Sequence, residues 1–333
     1  MNGERPIGIA GAGSIGCFVG GALAAAGRRV ALLARPRVIG EIRDNGLRLT
    51  NFDGSEHRLA ANQLTLSDDP SIFGDAGVVL VTVKSADTAG IADLLATHAP
   101  RDAMIVSLQN GVGNVAALRA RLPGRKVLGG MVPFNVISRG EGRFHRSTSG
   151  AIVIERDDGA TAASLSVPGL SVHATDNIEG VQWGKLIVNL NNALNALADI
   201  PLRRQLAQRP WRQLFADQMA EGLAAIKAAG IRPVSPMPLP SGWMPPLLRL
   251  PDAIFEAVLG RTMKIDPEAR SSMWEDLQRG RRTEIDYLQG VITEIAERHG
   301  LQAPLSRRIV TLVKKAEADG KGSPGLTPEQ IRG

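Results

Sequence analysis

Segment 183–197 combines a lysine and several asparagines with an apolar helical pattern, which makes it the first candidate for chemistry. We predict a helix because the segment contains no proline and its leucines recur at helical spacing. At roughly 100° per residue, Lys185, Asn189 and Asn192 lie within about 60° of one another on one face. A lysine is costly to bury without polar neighbours, so this face could line a polar pocket. A solvated stripe on a surface helix is the alternative, and the segment alone favours neither.

The N-terminal residues carry a glycine-rich turn between a predicted strand, 7–10, and a helix that extends to Gly27. A second predicted strand follows at residues 29–33. The turn reads Gly11-Ala12-Gly13-Ser14-Ile15-Gly16, a complete G-x-G-x-x-G pattern. Between a strand and a helix, such glycines permit a tight turn and the close approach of a pyrophosphate, which the helix N-terminus then faces. We therefore expect all six residues to bind a dinucleotide cofactor.

The residue after the second strand discriminates between the two nicotinamide dinucleotides. An acidic residue there holds the ribose 2′-hydroxyl of NAD, whereas an arginine accommodates the 2′-phosphate of NADP. Arg35 follows this strand, and no acid stands beside it. We therefore predict NADP(H) as the cofactor, with Arg35 at the 2′-phosphate; an exposed turn residue is the alternative.

Two later apolar runs, 78–83 and 104–108, are typical of parallel strands that are buried on both faces. Lys84 follows the first run and Asn110 the second. Ligands bind beyond the carboxyl ends of the strands in open α/β sheets, so both residues are candidates for the site. The alternatives are a surface lysine and an asparagine that serves only the Asn-Gly turn.

The pattern predicts an α/β Rossmann-like dinucleotide-binding domain over residues 1–178, followed by an all-α domain over residues 179–333. Further strands are expected at 127–132, 144–147, 151–155 and 170–173, as antiparallel additions that close the sheet. Beyond Trp183 the strand signals stop and helical patterns take over.

Four helices are predicted in the second half, at 211–229, 266–280, 284–300 and 304–318. Asp266 and Pro267 form a typical helix start, and Thr283 can cap the following helix. Glu284 would then lie in a first turn, where the helix dipole favours an ionised carboxylate.

Residues 233–251 contain seven prolines, which predicts an irregular, rigid connector. A lid over the pocket is an alternative role for it. The tail from about residue 320 is rich in glycine and is expected to be loose.

Composition narrows the functional classes. Of 333 residues 44% are hydrophobic, which is enough for a two-domain globular protein. The net charge is +6, but the basic residues are scattered and aromatic residues make up only 4%, which argues against nucleic acid as a partner. One cysteine and five dispersed histidines give no disulfide and no metal signature. Because no apolar run approaches 18 residues, we expect a cytoplasmic protein without a membrane partner.

Several motifs occur together in a fixed order: the glycine turn, Val83-Lys84, Gln109-Asn110-Gly111, Trp183-x-Lys185-Leu186-x-x-Asn189, and Ser271-Ser272-Met273 before Thr283-Glu284-Ile285-Asp286. In that order, over about residues 7–315, the chain resembles the ketopantoate reductase (2-dehydropantoate 2-reductase) family, which acts in pantothenate biosynthesis. The last two motifs are the specific ones, since many dehydrogenases share the glycine turn.

The resemblance implies a role for each matching residue. Lys185 would be the general acid that protonates the ketone oxygen of ketopantoate, and Glu284 would pair with Lys185 or with the substrate hydroxyl. Asn110, Asn189 and Ser272 would hold the substrate. Lys84 would support the nicotinamide end of the cleft. The implied partner is a small 2-oxo acid, and a homodimer is left open.

One position departs from the family pattern. A second asparagine is expected four residues after Asn189, where this chain has Ala193. Asn192 lies on the Lys185 face and is our substitute for it. The departure leaves open a different 2-oxo acid, or an opine-type imine, as the substrate. A catalytically silent NADPH sensor is a weaker alternative, because it would not need Lys185, Ser272 and Glu284 together.

Overall fold

The chain forms two compact units, Met1–Glu179 and Gly180–Gly333. The computed structural model describes residues 5–158, 160–235, 239–260 and 266–333. The first unit is an α/β domain and the second is built from helices, as the sequence predicts.

Twelve strands lie in the first unit: β1 (Ile7–Ala10), β2 (Val30–Leu33), β3 (Leu47–Asn51), β4 (Glu56–Leu59), β5 (Thr65–Ser67), β6 (Val78–Val81), β7 (Met104–Ser107), β8 (Val127–Met131), β9 (Val136–Ser138), β10 (Arg143–Arg146), β11 (Ile152–Glu155) and β12 (Val172–Thr175). Eight of them form the main sheet in the order β12-β11-β8-β7-β6-β1-β2-β5. The six strands from β8 to β5 in this order are parallel. Strand β11 is antiparallel to β8, and β12 is parallel to β11.

Five helices accompany this sheet: α1 (Ser14–Ala25), α2 (Pro36–Asn45), α3 (Thr88–His98), α4 (Asn114–Arg121) and α5 (Thr161–Leu165). Successive residues of β6 belong to different apolar cores. Leu80 lies in the core that includes α1, whereas Val79 and Val81 lie in the core that includes α3 and α4. The sheet is therefore buried on both faces, which explains the continuous apolar runs in its central strands.

A second sheet, with the order β4-β3-β10-β9, was not predicted. The strand expected at 144–147 pairs in parallel with β3 and does not extend the main sheet, so that prediction is wrong. Leu47, Leu49 and Phe144 are buried in the core shared with α1. A Cβ on Gly21 of α1 would lie 2.7 Å from a Leu47 methyl, so close helix–sheet packing selects the glycine.

The second unit contains ten helices among the described residues: α6 (Ile178–Asn189, beginning at the boundary), α7 (Asn191–Ala198), α8 (Leu202–Ala207), α9 (Arg209–Ala228), α10 (Met244–Leu248), α11 (Asp252–Phe255), α12 (Ser272–Gln278), α13 (Val291–Arg298), α14 (Pro304–Asp319) and α15 (Pro328–Arg332). Two π-helical turns, Glu256–Gly260 and Asp286–Gly290, follow α11 and precede α13. Helices α9 and α14 agree with the predicted ones. No helix in the described ranges has the length and apolar character that crossing a membrane requires.

Helix α12 begins later than predicted. The Asp266 carboxylate accepts a hydrogen bond from the Glu268 N–H at 2.8 Å, but this closes only a turn. Ser271 is the true N-cap, since its Oγ accepts from the Trp274 N–H at 3.1 Å. The predicted start at Asp266 is therefore wrong. Thr283 does open the following helical stretch, because its Oγ1 accepts from the Ile285 N–H at 3.2 Å.

The proline-rich segment is partly helical, so the prediction of an irregular connector is wrong. Residues 236–238 lie outside the described part of the chain. Ser241–Trp243 forms a 3₁₀ turn that continues into α10. Pro245 and Pro246 occupy the first turn of α10, where no N–H donor is needed. Its role as a lid stays a prediction.

The C-terminal tail is packed, contrary to the prediction that it is loose. Ser323 Oγ donates to the Ala196 carbonyl at 2.6 Å, and the Leu326 N–H donates to the Leu197 carbonyl at 2.8 Å. These bonds satisfy carbonyl groups in the last turn of α7 that have no partner within a helix. Ile331 of α15 is fully buried, which fixes the end of the tail.

Candidate active site

The turn after β1 can be formed only by glycine at two of its positions. Gly11 has φ +100°, and a Cβ there would lie 2.9 Å from the Val83 backbone nitrogen. Thr82 Oγ1 donates to the Gly11 carbonyl at 2.7 Å. A Cβ on Gly16 would lie 2.6 Å from that same Oγ1 and 2.7 Å from the Gly11 carbonyl oxygen. The turn, α1 and the loop after β6 are thus in close contact.

Gly13 differs because it has open space beside it. It is exposed, and a Cβ there would meet only the Gly11 carbonyl oxygen, at 4.0 Å. Helix α1 follows with no side-chain cap and no acidic residue in its first turn. An uncapped helix N-terminus beside an open glycine suits a pyrophosphate. The six residues of the turn therefore fit a dinucleotide.

Arg35 lies where the sequence predicts, just beyond the carboxyl end of β2, the strand next to β1. It is exposed and is the N-cap residue of α2. Its neighbour Arg37 forms an ion pair with Glu41, one helical turn further along α2. The two arginines, two residues apart, therefore differ in their surroundings: Arg37 is held by Glu41, whereas Arg35 stands at the start of α2.

Buried hydrogen bonds fix the backbone of Asn110 at the carboxyl end of β7. Its carbonyl oxygen accepts from Ser85 Oγ at 3.0 Å and from Asn114 Nδ2 at 2.8 Å. Asn114 Nδ2 also donates to Ser85 Oγ, at 3.1 Å. Since Ser85 follows Lys84, this network joins the loops that carry the two predicted residues.

Gln109 reinforces the same junction. Its Nε2 donates to Thr88 Oγ1 at 2.7 Å and to the Val83 carbonyl at 3.2 Å, while its Oε1 accepts from Ser107 Oγ at 3.0 Å. Gln109, Thr88 and Ser107 are all buried. The sequence analysis missed this network and also Thr82. Their signal was polar residues at the ends of otherwise apolar strands.

Helices α6 and α7 meet at Leu190, within the predicted helix over 183–197. The Leu190 carbonyl accepts a hydrogen bond from Gln289 Nε2 at 2.8 Å. The predicted helix over 183–197 therefore holds, because Leu190 keeps helical dihedral angles (φ −55°, ψ −29°) and its N–H donates to the Leu186 carbonyl at 3.1 Å.

The asparagines of this segment divide into two kinds. Asn189 and Asn192 are half-buried, as is Lys185. Asn195 is fully buried, where its Nδ2 donates to the Ile200 carbonyl at 2.9 Å and its Oδ1 accepts from the Ser271 N–H at 2.8 Å. Asn195 is therefore structural, whereas Asn189 and Asn192 retain partly accessible side chains.

Lys185 has an unusual acidity. Burial of its ammonium group lowers the pKa of Lys185 to about 8, and the negative charge of Glu284 opposes this shift. The structure therefore brings these two residues into electrostatic interaction. A lysine with a pKa near 8 can release a proton close to neutral pH, which suits a general acid.

The serine pair 271–272 also divides into a structural and an accessible member. Ser271 is buried, and its Oγ donates to the Asn192 carbonyl at 2.9 Å. Ser272, the next residue, is exposed. The second unit thus brings Ser272 close to α7.

The first unit groups its predicted residues at one edge of the sheet. The carboxyl ends of neighbouring strands carry the glycine turn, Arg35, Lys84 and Asn110.

A backbone contact next to Lys185 was not anticipated. A Cβ on Gly184 would lie 2.7 Å from the Val234 carbonyl carbon and nearer still to its oxygen. The Val234 N–H donates to the Gly180 carbonyl at 2.8 Å. Residues 231–235 therefore lie against α6, and only glycine at position 184 allows this approach.

Comparison with known proteins identifies the family. Residues 7–159 match the family described as ketopantoate reductase PanE/ApbA, and residues 177–317 match the one described as ketopantoate reductase PanE/ApbA C terminal. The 2-dehydropantoate 2-reductase of Halobacterium salinarum is 30% identical over 324 residues, which cover 94% of this chain and 99% of that protein.

Solved structures agree with this assignment. The crystal structure of a PanE/ApbA family ketopantoate reductase from Ralstonia eutropha JMP134 has a TM-score of 0.80 at 32% identity, covering 95% of this chain and 99% of that one. A ternary complex of D-mandelate dehydrogenase with NADH and anilino(oxo)acetate has the same fold, with a TM-score of 0.78 at 22% identity and the same coverage of both chains. This chain belongs to the ketopantoate reductase family and is an oxidoreductase.

Proposed function

We propose that this chain reduces 2-dehydropantoate (ketopantoate) to pantoate with NADPH, and that Lys185 is the general acid. The observation that carries the proposal is the pairing of Lys185, whose pKa is about 8, with the carboxylate of Glu284 in a member of this family. A reductase needs such a proton donor because a ketone becomes an alcohol only when its oxygen is protonated.

The first unit supplies the cofactor site in this proposal. The glycine turn, residues 11–16, receives the pyrophosphate, and Arg35 contacts the 2′-phosphate. Lys84 and the Asn110 side chain support the nicotinamide end. The dinucleotide supplies a hydride when it is bound. Residues 1–178 thus form the NADP-binding domain and residues 179–333 the catalytic domain.

The second unit supplies the acid and substrate contacts. The Lys185 ammonium stabilises the growing negative charge on the substrate oxygen and donates its proton to that oxygen. Glu284 keeps the ammonium protonated near neutral pH because its charge opposes the effect of burial. Asn189, Asn192 and Ser272 orient the 2-oxo acid.

The test follows NADPH absorbance with ketopantoate for the wild type and for Lys185→Ala. We expect the wild type to turn over and the variant to lose several orders of magnitude in kcat, with NADPH binding retained. A variant that keeps most of its kcat would rule out Lys185 as the acid.

A different 2-oxo acid is the second candidate substrate, and Ala193 is the observation that favours it. This residue replaces a family asparagine and is fully buried. A panel of 2-oxo acids and imines separates the two candidates: turnover of another compound, without turnover of ketopantoate, would replace the substrate and keep the mechanism. NADPH binding without any turnover would favour the sensor alternative. The homodimer and the cytoplasmic location stay predictions.

A further inference from the structure

We propose that Gln289 is a positioning residue, which fixes the end of the Lys185 helix against the segment that carries Glu284. Gln289 Nε2 donates to the Leu190 carbonyl at 2.8 Å, and the side chain is fully buried. The inference rests on the proposed roles of Lys185 and Glu284, and it adds a third residue that acts through both.

One end of this hydrogen bond is the junction between α6 and α7. Lys185 lies five residues before Leu190, in the C-terminal half of α6. Asn189 is the residue immediately before Leu190. A shift of Leu190 would therefore move both candidate active-site residues together. The bond acts at the junction of the two helices, where the Leu190 backbone is itself helical.

The other end is the π-helical turn Asp286–Gly290, which begins two residues after Glu284. Helix α14 holds the start of this region from one side. Glu317 accepts from the Thr283 N–H at 2.7 Å, and Lys314 forms an ion pair with Asp286 at 2.7 Å. The Gln289 bond differs from these two because it reaches the helix of Lys185.

A packing role alone does not explain a glutamine here. Gln289 Oε1 is buried and has no hydrogen-bond partner among the residues that the structure describes. An unpaired buried acceptor is unfavourable, so an apolar side chain of similar size would fill the same space better. The amide is useful at this position for the bond that its Nε2 makes.

Gln218 provides a matched control. It is another fully buried glutamine of the helical unit, but neither of its amide atoms has a hydrogen-bond partner within the described part of the chain. Replacing each glutamine with methionine keeps the length of the side chain and removes the amide. The variants Gln289→Met and Gln218→Met therefore differ in whether a hydrogen bond to the Leu190 carbonyl is lost.

Two readouts are needed, one with catalysis and one without. The first is kcat and its pH dependence on the substrate that the wild type reduces. The second is the rate of Lys185 acetylation against pH, measured by mass spectrometry, which reports the acidity of Lys185 in the absence of substrate. The second readout survives failure of the proposed function, because it requires no turnover.

We expect Gln289→Met to lower kcat by about 10- to 100-fold, as small misplacements of catalytic groups do. Its acetylation profile should shift to lower pH, because Glu284 would stabilise the ammonium less well. Gln218→Met should match the wild type in both readouts. Gln289→Leu, which is apolar and carries no donor, should behave like Gln289→Met and replaces it if that variant does not fold.

The inference is overturned if the folded Gln289 variants keep the wild-type kcat and acetylation profile and lose only thermal stability. If the wild type reduces no 2-oxo acid, yet the acetylation profile shifts in Gln289→Met alone, the positioning role stands and the proposed reaction falls.

Discussion

The backbone carbonyl of Val234 lies against Gly184, the residue immediately before Lys185. No side chain separates segment 231–235 from α6, so the two backbones are in direct contact at Gly184. The position of the candidate acid is thus coupled to a segment that begins about 50 residues later in the sequence.

Gly184→Ala tests this contact. Alanine normally stabilises a helix interior by about 0.5–1 kcal/mol relative to glycine. Here we expect destabilisation by about 1–3 kcal/mol in urea unfolding, because the Val234 carbonyl must move. Gly90→Ala is the control, since a Cβ on this α3 glycine meets nothing within 4 Å. Equal effects of the two substitutions would contradict the contact.

The acidity of Lys185 predicts the pH dependence of reduction. A general acid must be protonated, so kcat/KM should fall as the pH rises through about 8. Glu284→Gln removes the charge that raises this pKa, and the decline should move to lower pH. A pH–rate profile between pH 6 and 10 measures both. An unchanged inflection in Glu284→Gln would exclude the electrostatic role of Glu284.

Cofactor preference should depend on Arg35. Losing a charge-assisted hydrogen bond of about 1.5–3 kcal/mol weakens binding by about 10- to 150-fold. We therefore expect Arg35→Ala to weaken NADPH binding by this factor and to leave NADH binding nearly unchanged, as measured by fluorescence titration. Arg37→Ala is the control, because Arg37 pairs with Glu41. Equal losses for NADPH and NADH would contradict the role of Arg35.

Two glycines of the same turn should respond differently to alanine. Gly13→Ala should keep the melting temperature but weaken cofactor binding by at least about tenfold, because its Cβ would occupy the open space for the pyrophosphate. Gly16→Ala should instead destabilise the fold by about 1–3 kcal/mol, since its Cβ would overlap Thr82 Oγ1. Calorimetry on both variants distinguishes them. Unimpaired binding in Gly13→Ala would argue against a pyrophosphate at this place.

The departure at Ala193 predicts which residue binds the substrate. Asn192→Ala should raise KM by about tenfold, the effect of one lost polar contact of about 1.4 kcal/mol. Ala193→Asn, which restores the family asparagine, should not lower KM, because Ala193 is fully buried and an amide there lacks room. Steady-state kinetics give KM for both variants, and thermal melts show whether each variant is folded. A lower KM in Ala193→Asn would show that position 193 faces the substrate.

Local patterns were sufficient where one short stretch determines its own structure. The glycine turn is one case, since a complete G-x-G-x-x-G pattern between a strand and a helix predicts it from local sequence alone. The central strands are another, because burial on both faces leaves a continuous apolar run such as Val78–Val81. Lys84 and Asn110 followed from the topology, as both lie where parallel strands end.

Features set by distant partners could not be predicted. The hydrogen bond from Gln289 to the Leu190 carbonyl joins residues 99 positions apart, and no local pattern indicates it. The start of α12 is decided in the same way. Asp266 and Pro267 have the better local signal, but Ser271 bonds to Asn195, 76 residues away.

The pairing of β3 with β10 joins Leu49 to Phe144. Thr50 Oγ1 also lies 2.8 Å from His145 Nδ1, across a separation of 95 residues. While the ribosome is still synthesising the intervening chain, β3 has only β4 as a neighbour, and its other edge is open to unrelated strands. The nascent first domain should therefore depend on chaperone shielding, or on rapid elongation, until residue 146 has emerged.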